Sequence, residues 1–299
     1  MTDWNRYVIG DCREALRALP EQSMHCCVTS PPYYGLRSYL PNDHADKASE
    51  LGLEATPEEY VASMLSVFRE VKRVLRADGT LWLNIADTYW NNSPVRASAS
   101  DAFEKVYTGG RRSDGPGVRR SATGHPVLKM KDLIGVPWML AFALRADGWY
   151  LRSDIVWSKP HPVPEGSVTD RPTKAHEYVF LLSKADRYHY VDPDRQRTVW
   201  TINPQPHSDA HFATMPPKLA ERCILAGCPV GGVVLDPFLG SGTTAEVAEA
   251  LGRQWFGIEL SDKYEALIKR RTSQKSLLSL LPAEGATIPD SEDEGDPVP

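Results

Sequence analysis

The 299-residue sequence lacks several patterns that assign proteins to common classes. No apolar run reaches the roughly 18 residues that a membrane helix needs, so no membrane partner is expected. The first residues lack the basic-then-apolar profile of a secretory leader, so a cytoplasmic protein is expected. The five cysteines form no CxxC pair and show no zinc-ligand spacing with histidine. The sequence therefore predicts free thiols, with neither a disulfide framework nor a metal site.

An overall excess of basic residues, typical of nucleic-acid-binding proteins, is also missing, because the formal net charge is −5. This average hides two segments of opposite sign. From Glu284 onward there are six acidic residues and no Lys or Arg, so the rest of the chain carries about +1. We predict that residues 281–299 form an acidic, disordered tail. Residues 91–131 instead carry eight basic and three acidic residues, and they are predicted to form a long functional or disordered insertion.

Short β-branched apolar runs alternate with segments of helical periodicity. Predicted strands lie at residues 7–9, 25–29, 80–85, 154–157, 177–183, 233–236 and 255–260. Predicted helices lie at residues 13–19, 57–75, 133–147, 217–226 and 243–251. This alternation predicts an α/β fold with a mostly parallel sheet and helices on both faces.

A loop that contains two glycines follows the predicted strand at 233–236. It reads Asp236-Pro237-Phe238-Leu239-Gly240-Ser241-Gly242-Thr243-Thr244. Glycines at the carboxyl end of a parallel strand let the backbone approach a ligand closely. The loop matches neither the GxGxxG dinucleotide pattern nor the GxxxxGK[ST] phosphate loop. A tight turn without a ligand is the alternative.

Glu259 ends the next predicted strand and favours the ligand interpretation. An acidic residue at this position accepts hydrogen bonds from the ribose hydroxyls of a nucleoside cofactor. An exposed carboxylate that begins the next helix is the alternative. The loop and Glu259 together indicate a nucleoside-cofactor site.

Ser30-Pro31-Pro32-Tyr33 directly follows the predicted strand at 25–29. Two consecutive prolines remove two backbone donors and fix two φ angles, so Ser30 and the Pro31 carbonyl become rigid acceptors. Such acceptors suit an amino group with two N–H donors, and Tyr33 can stack on the base that carries it. A plain turn after a strand is the alternative.

The early Ser30-Pro31-Pro32-Tyr33 block and the late block at 236–244 together resemble the amino-group DNA methyltransferases of the permuted (beta) class, the cytosine-N4/adenine-N6 family. In that class the catalytic block precedes the cofactor block. The resemblance runs from Gly10 to about Arg271. It includes the stretches Ile155-Val156-Trp157-Ser158-Lys159-Pro160, Thr173-Lys174-Ala175-His176-Glu177-Tyr178 and His211-Phe212-Ala213-Thr214-Met215-Pro216-Pro217.

The resemblance implies a Rossmann-like class I S-adenosylmethionine-dependent methyltransferase fold with a circularly permuted motif order. We expect a methyltransferase domain at residues 1–280, with a catalytic block at 7–90, the basic insertion at 91–131 and a cofactor block at 207–271. The implied catalytic residues are Ser30, Pro31, Pro32 and Tyr33. The implied S-adenosylmethionine contacts are Asp11 at the adenine, Glu259 at the ribose, Phe212 near the pocket, and Asp236, Phe238, Gly240, Ser241, Gly242 and Thr243 in the loop.

The implied reaction methylates an exocyclic amino group of a base that is flipped out of double-stranded DNA, without a metal or a covalent intermediate. Cytosine N4 is favoured because serine at the first position of the tetrapeptide resembles the cytosine-amino enzymes of the family, whereas aspartate there is commoner among its adenine-amino enzymes. Contacts to DNA are expected from Arg37, Arg111, Arg112, Arg119, Arg120 and Lys159. The segment at 179–210 is short for a target-recognition region, so the insertion at 91–131, with the loop at 35–56, is predicted to read the target sequence.

Several alternatives stay open at this point. Adenine N6 is the alternative target with the same fold and mechanism. A methyltransferase that acts on another substrate and an inactive DNA-binding relative are less favoured, because both motif blocks are intact. The resemblance implies a role in restriction-modification or in phage or host DNA modification. It leaves open a homodimer and a cognate restriction endonuclease.

Overall fold

The computed structural model describes residues 3–90, 124–162, 168–192, 195–204 and 215–273. Strands in these ranges are β1 Arg6–Ile9, β2 Met24–Thr29, β3 Leu75–Ile85, β4 Tyr150–Ser158, β5 His176–Ser183, β6 Val199–Thr201, β7 Val233–Asp236 and β8 Gln254–Glu259. The α-helices are α1 Cys12–Arg17, α2 Pro57–Val74, α3 Val136–Ala146, α4 Pro217–Gly227, α5 Thr243–Ala250 and α6 Glu265–Ser273. Two short 3₁₀ helices lie at Ala45–Ser49 and Asp262–Tyr264. None of the helices described could span a membrane.

The eight described strands form one sheet in the order β1-β8-β7-β2-β3-β5-β4-β6. Among them only β5 runs antiparallel to its neighbours, β3 and β4. The prediction of a mostly parallel, Rossmann-like sheet is therefore confirmed. Since β2 pairs directly with β7, the carboxyl ends of these two strands meet at one edge of the sheet. This pairing brings the two motif blocks together although they are about 200 residues apart in sequence.

Helices cover both faces of the sheet, as predicted. One apolar core contains side chains of α1, α2 and α3, and the second contains side chains of α4, α5 and α6. The longest of these helices, α2, shows why the local sequence folds this way. Thr56 and Glu59 form a reciprocal capping box at its start, and Pro57 occupies the first turn. Its apolar residues recur at helical spacing, and Tyr60, Met64 and Phe68 are fully buried.

The structure differs from the sequence prediction in several elements. Helix α3 begins at Val136, after Gly135 with φ +84°, so it is shorter than the predicted 133–147 helix. Strand β4 has nine residues and is longer than the predicted strand at 154–157. Its pairing with β5 continues on both sides of a bulge between Leu151 and Ser153. The short strand β6 and helix α6 were not predicted, since three residues and a strongly polar helix give little periodic signal. The tail at 281–299, the domain boundary at 280 and residues 91–123 of the basic insertion lie outside the described residues.

Candidate active site

One cavity at the carboxyl edge of β2, β7 and β8 is lined by residues of both motif blocks. All four predicted catalytic residues line it. The predicted cofactor residues that line it are Asp11, Asp236, Phe238, Gly240, Ser241, Thr243 and Glu259. The predicted DNA contact Arg37 lines it as well. These sequence-predicted residues therefore converge on one site.

Seven predicted positions are not among the cavity-lining residues, and two of them, Gly242 and Lys159, are described by the structure. Gly242 is not part of the cavity wall; it directly precedes α5 with φ +88°, and a Cβ atom there would lie 3.4 Å from the Ile268 backbone. Its glycine is explained by backbone conformation and close packing. The other five lie outside the described residues: Arg111, Arg112, Arg119, Arg120 and Phe212.

Asp236, the last residue of β7, is held by neutral donors. Its carboxylate accepts hydrogen bonds from the Thr29 hydroxyl at 2.6 Å, the Thr244 hydroxyl at 2.7 Å and the Phe238 backbone N–H at 3.1 Å. Burial nevertheless raises the pKa of Asp236 to about 6, because desolvation disfavours the charged form more than these donors favour it. The threonines Thr29 and Thr244 were not singled out from the sequence.

Glu259, the last residue of β8, is also buried, which contradicts the alternative of an exposed carboxylate. Its two oxygens accept backbone N–H bonds from Gly240 and Ser261, each at 2.8 Å. Desolvation raises the pKa of Glu259 to about 7. The bond from Gly240 fixes the glycine loop relative to β8. Beside it, the buried Ser241 hydroxyl has no hydrogen-bond partner among the described residues, which is expected of an atom that binds a polar ligand.

Asp11 lines the same cavity but is already engaged by the protein. It caps α1 by accepting the Arg13 backbone N–H at 2.7 Å, and it forms an ion pair with the Arg13 guanidinium at 2.5 Å. Burial opposes ionisation of Asp11, but the hydrogen bonds and charge of Arg13 outweigh it and lower its pKa. Asp11 is therefore a fixed carboxylate at the end of β1.

The Ser30-Pro31-Pro32-Tyr33 loop is rigidified by side chains of three other elements. The Tyr60 hydroxyl of α2 donates to the Pro32 carbonyl at 2.9 Å. The Tyr33 hydroxyl donates to Glu177 on β5 at 2.6 Å and accepts from the Ser30 hydroxyl at 3.3 Å. The Asn84 amide on β3 donates to the same Glu177 oxygen at 3.0 Å. The ring of Tyr33 thus keeps a fixed place in the cavity wall.

Sequence reasoning missed Glu177 and Asn84 as site residues. Both are buried and both line the cavity. Glu177 lay in the stretch at 173–178 that carries part of the resemblance, but no role was given to it. Asn84 gave a weaker signal, a single polar side chain in the apolar strand β3. A polar residue in a buried strand is informative because it needs partners there.

Lys159, a predicted DNA contact, has protein partners in this structure. Its ammonium forms an ion pair with Glu177 and lies 4.5 Å from the centre of the Trp157 ring. The side chain is 21% exposed. Its charge is therefore directed toward the carboxylate behind Tyr33, and its contact with DNA stays a prediction.

The described residues contain no group of three or more potential metal ligands among His, Cys, Asp and Glu. All five cysteines are buried free thiols. Burial raises the pKa of Cys12 to about 12, so this thiol at the cavity wall is held in its protonated form. The carboxylates, hydroxyls and aromatic rings described above are thus the chemically distinctive groups of the cavity.

Comparison with known proteins assigns the family. A family model described as DNA methylase matches residues 24–270. The Type II methyltransferase M.SmaI of Serratia marcescens is 43% identical over 89% of this chain and 90% of its own. Among solved structures, the cytosine-N4-specific PvuII DNA methyltransferase superposes with a TM-score of 0.65 at 21% identity, covering 91% of this chain and 87% of that one. TTHA0409 of Thermus thermophilus, solved with S-adenosyl-L-methionine, gives 0.59 at 25% identity, covering 90% and 93%. The chain therefore belongs to the DNA methylase family of N6 and N4 amino-methyltransferases, with the permuted order that its two motif blocks predict.

Proposed function

We propose that this chain transfers a methyl group from S-adenosylmethionine to the 4-amino group of a cytosine flipped out of duplex DNA. The observation that carries the proposal is the shared cavity, in which an amino-group acceptor site (Ser30 and Pro31) and a nucleoside-type site (Asp236, the glycine loop and Glu259) face one space. Family membership supports DNA as the substrate.

The cavity residues fit S-adenosylmethionine. The Ser241 hydroxyl has no partner in the described part of the chain. Together with the buried Asp236 and Glu259 carboxylates, it presents polar groups to a space that Phe238 and Leu239 also line. Glu259 would accept the ribose hydroxyls, Asp11 would contact the adenine end, and the loop from Asp236 to Thr243 would hold the methionine end. TTHA0409, which was solved with this cofactor, has a similar fold. When bound, the cofactor supplies a methyl group that its sulfonium has already activated.

Ser30 and Pro31 act on the target amino group. A cytosine amino lone pair is delocalised into the ring and attacks poorly while the nitrogen is planar. Acceptance of the two N–H bonds by the Ser30 hydroxyl and the Pro31 carbonyl favours a pyramidal nitrogen with an available lone pair. Tyr33 would stack on the ring, and in-line positioning of the two reactants supplies up to several kcal/mol.

The amino nitrogen of a paired base points into the duplex, so the base must leave the stack at a cost of a few kcal/mol. Phosphate contacts by Arg37 and by four arginines of the basic insertion would offset that cost, namely Arg111, Arg112, Arg119 and Arg120. Serine at the first position of the tetrapeptide supports cytosine N4 over adenine N6. The Type II relative supports a restriction-modification setting, with a cognate endonuclease.

Mass spectrometry of nucleosides tests this function. Duplex DNA of varied sequence is incubated with the protein and isotopically labelled S-adenosylmethionine, with Ser30→Ala as the matched control. Labelled 4-methylcytosine that disappears with Ser30→Ala is the expected result. Labelled 6-methyladenine would support methylation of an amino group but would show that the target base is adenine and not cytosine. No labelled nucleoside on any DNA would overturn the proposal.

A further inference from the structure

We propose that Glu177 is the terminal proton acceptor of the methyl transfer, reached from the target amino group through the Ser30 and Tyr33 hydroxyls. This inference rests on the proposed function and names the route by which the amino proton leaves. It assigns Tyr33 a second task besides stacking, and it gives a role to a buried carboxylate that the resemblance left without one.

The shortest hydrogen bond that Tyr33 donates leads toward Glu177, since the other acceptor near its hydroxyl, Asn84 Oδ1, lies farther away at 3.3 Å. The Ser30 hydroxyl donates to the Tyr33 hydroxyl at 3.3 Å, and the Tyr33 hydroxyl donates to Glu177 Oε2 at 2.6 Å. With its proton turned toward Tyr33, the Ser30 oxygen has its lone pairs available for an amino N–H. The route therefore begins at the proposed amino-group acceptor and ends at a carboxylate.

Glu177 is fixed as the end of this route by its other contacts. Asn84 donates to the same oxygen, Oε2, at 3.0 Å, while Lys159 forms an ion pair with Oε1. The carboxylate is thus held from both sides on β5, and it also lines the cavity. Because of this position, an acquired proton can return to water once the product has left.

The route balances atoms and charge. The amino nitrogen forms a bond to the methyl carbon while the carbon–sulfur bond breaks, so the sulfonium becomes a neutral thioether and the nitrogen gains a positive charge. One amino proton then passes to Ser30 Oγ, the Ser30 proton passes to Tyr33 Oη, and the Tyr33 proton passes to Glu177. Both hydroxyls end with the same number of protons, and Glu177 carries the proton that the base lost.

The environment of Tyr33 favours concerted passage over a charged intermediate. Burial, followed by the charge of Glu177, raises the pKa of the Tyr33 hydroxyl well above its usual range. A free tyrosinate is therefore disfavoured at this position. The hydroxyl can still pass a proton on, because it receives one from Ser30 as it releases its own.

The test separates proton transfer from mere support of the loop. Glu177→Gln keeps an acceptor for Tyr33 but cannot take up a proton, and Tyr33→Phe keeps the stacking ring but removes the relay. Both variants and their double mutant are compared with wild type in single-turnover methyl transfer at saturating DNA and cofactor. Glu249→Gln, on α5, is the matched control, since this carboxylate accepts the Trp255 indole N–H away from the cavity.

We expect each single variant to slow methyl transfer roughly 100-fold, and the double mutant to be no slower, because both changes break one relay. Affinities for cofactor and DNA should stay unchanged. We expect wild type to react more slowly in D₂O than in H₂O, and this solvent isotope effect should disappear in the variants. Thermal unfolding checks that each variant is folded. If Glu177→Gln does not fold, Tyr33→Phe alone still tests the relay.

Two results would overturn the inference while the proposed function stands. One is wild-type-like transfer by either folded variant. The other is an additive loss in the double mutant, because independent effects show that the two side chains do not share a route. Failure of the function itself looks different, since wild type would then produce no methylated nucleoside.

Discussion

The cavity has two acidic walls that are stabilised in opposite ways. On the cofactor wall, formed by Asp236 and Glu259, the carboxylates accept hydrogen bonds from threonine hydroxyls and backbone N–H groups, which are neutral. On the catalytic wall, formed by Ser30, Tyr33 and Glu177, the carboxylate forms an ion pair with Lys159. Burial raises the pKa of Asp236 to about 6 and that of Glu259 to about 7.

This difference shows how the two walls divide the chemistry. Neutral donors leave negative charge uncompensated on the cofactor wall, and the cofactor of the proposed reaction is cationic at its methionine end. The buried carboxylates of that wall therefore destabilise the protein without its ligand, and their negative charge attracts the cationic cofactor. The catalytic wall already contains the positive charge of Lys159, and the cytosine that is proposed to bind beside it is uncharged.

The largest expected effect is a pH dependence of stability that comes from the cofactor wall. The folded-state pKa values of Asp236 and Glu259 lie above their ordinary values of 3.8 and 4.5, so the folded protein holds protons that the unfolded chain releases. Their contribution is fully present below about pH 4 and is lost as the pH rises through about 7. The loss is on the order of 3 kcal/mol for each carboxylate.

Urea unfolding between pH 4 and pH 8 measures this contribution as the difference between wild type and an Asp236→Asn/Glu259→Gln double mutant. We expect the double mutant to gain stability relative to wild type as the pH rises. Parallel pH profiles for the two proteins would show that neither carboxylate is destabilised by burial.

Removal of the Glu259 charge tests whether the cofactor wall binds S-adenosylmethionine. Glu259→Gln keeps the size of the side chain but loses the charged acceptor of the proposed ribose contact. Hydrogen bonds to charged groups contribute about 1.5–3 kcal/mol, so the cofactor Kd should rise about 100-fold at pH 8. Isothermal titration calorimetry with S-adenosylmethionine measures this change. An unchanged Kd, with folding intact, would remove Glu259 from the binding site.

Loss of the Lys159 charge should leave the catalytic wall, like the cofactor wall, with a buried carboxylate that has no positively charged partner. Lys159→Met leaves Glu177 without its ion-pair partner, which should lower the free energy of unfolding by about 2 kcal/mol, less than for a fully buried pair because Lys159 is partly exposed. A second change, Glu177→Gln, should restore most of that loss. Chemical denaturation of the two single variants and the double mutant forms the cycle. Additive losses would mean that the two side chains do not interact.

The sequence predicted those parts of the site that depend on local signals. Ser30 directly follows an apolar strand, and Asp236 and Glu259 each end one, so alternation of strands and helices was enough to place them at one edge of a parallel sheet. The partner of Tyr33 could not be predicted in this way. Glu177 lies 144 residues from Tyr33, and their contact depends on the antiparallel register in which β3 pairs with β5. Strand register of that kind is set by tertiary packing.

The smallest expected effect comes from a single donor on the cofactor wall. Thr244→Val keeps the shape of a buried side chain but removes the hydroxyl that donates to Asp236 at 2.7 Å. The free energy of unfolding should fall by about 1 kcal/mol at pH 8, where Asp236 is ionised and needs its donors. At pH 5 the loss should be smaller, because a protonated carboxyl depends less on a donor. Thr29→Val, which removes the donor at 2.6 Å, should behave in the same way. Equal losses at both pH values in urea unfolding would mean that the threonines contribute through packing, and that the charge of Asp236 is not what they stabilise.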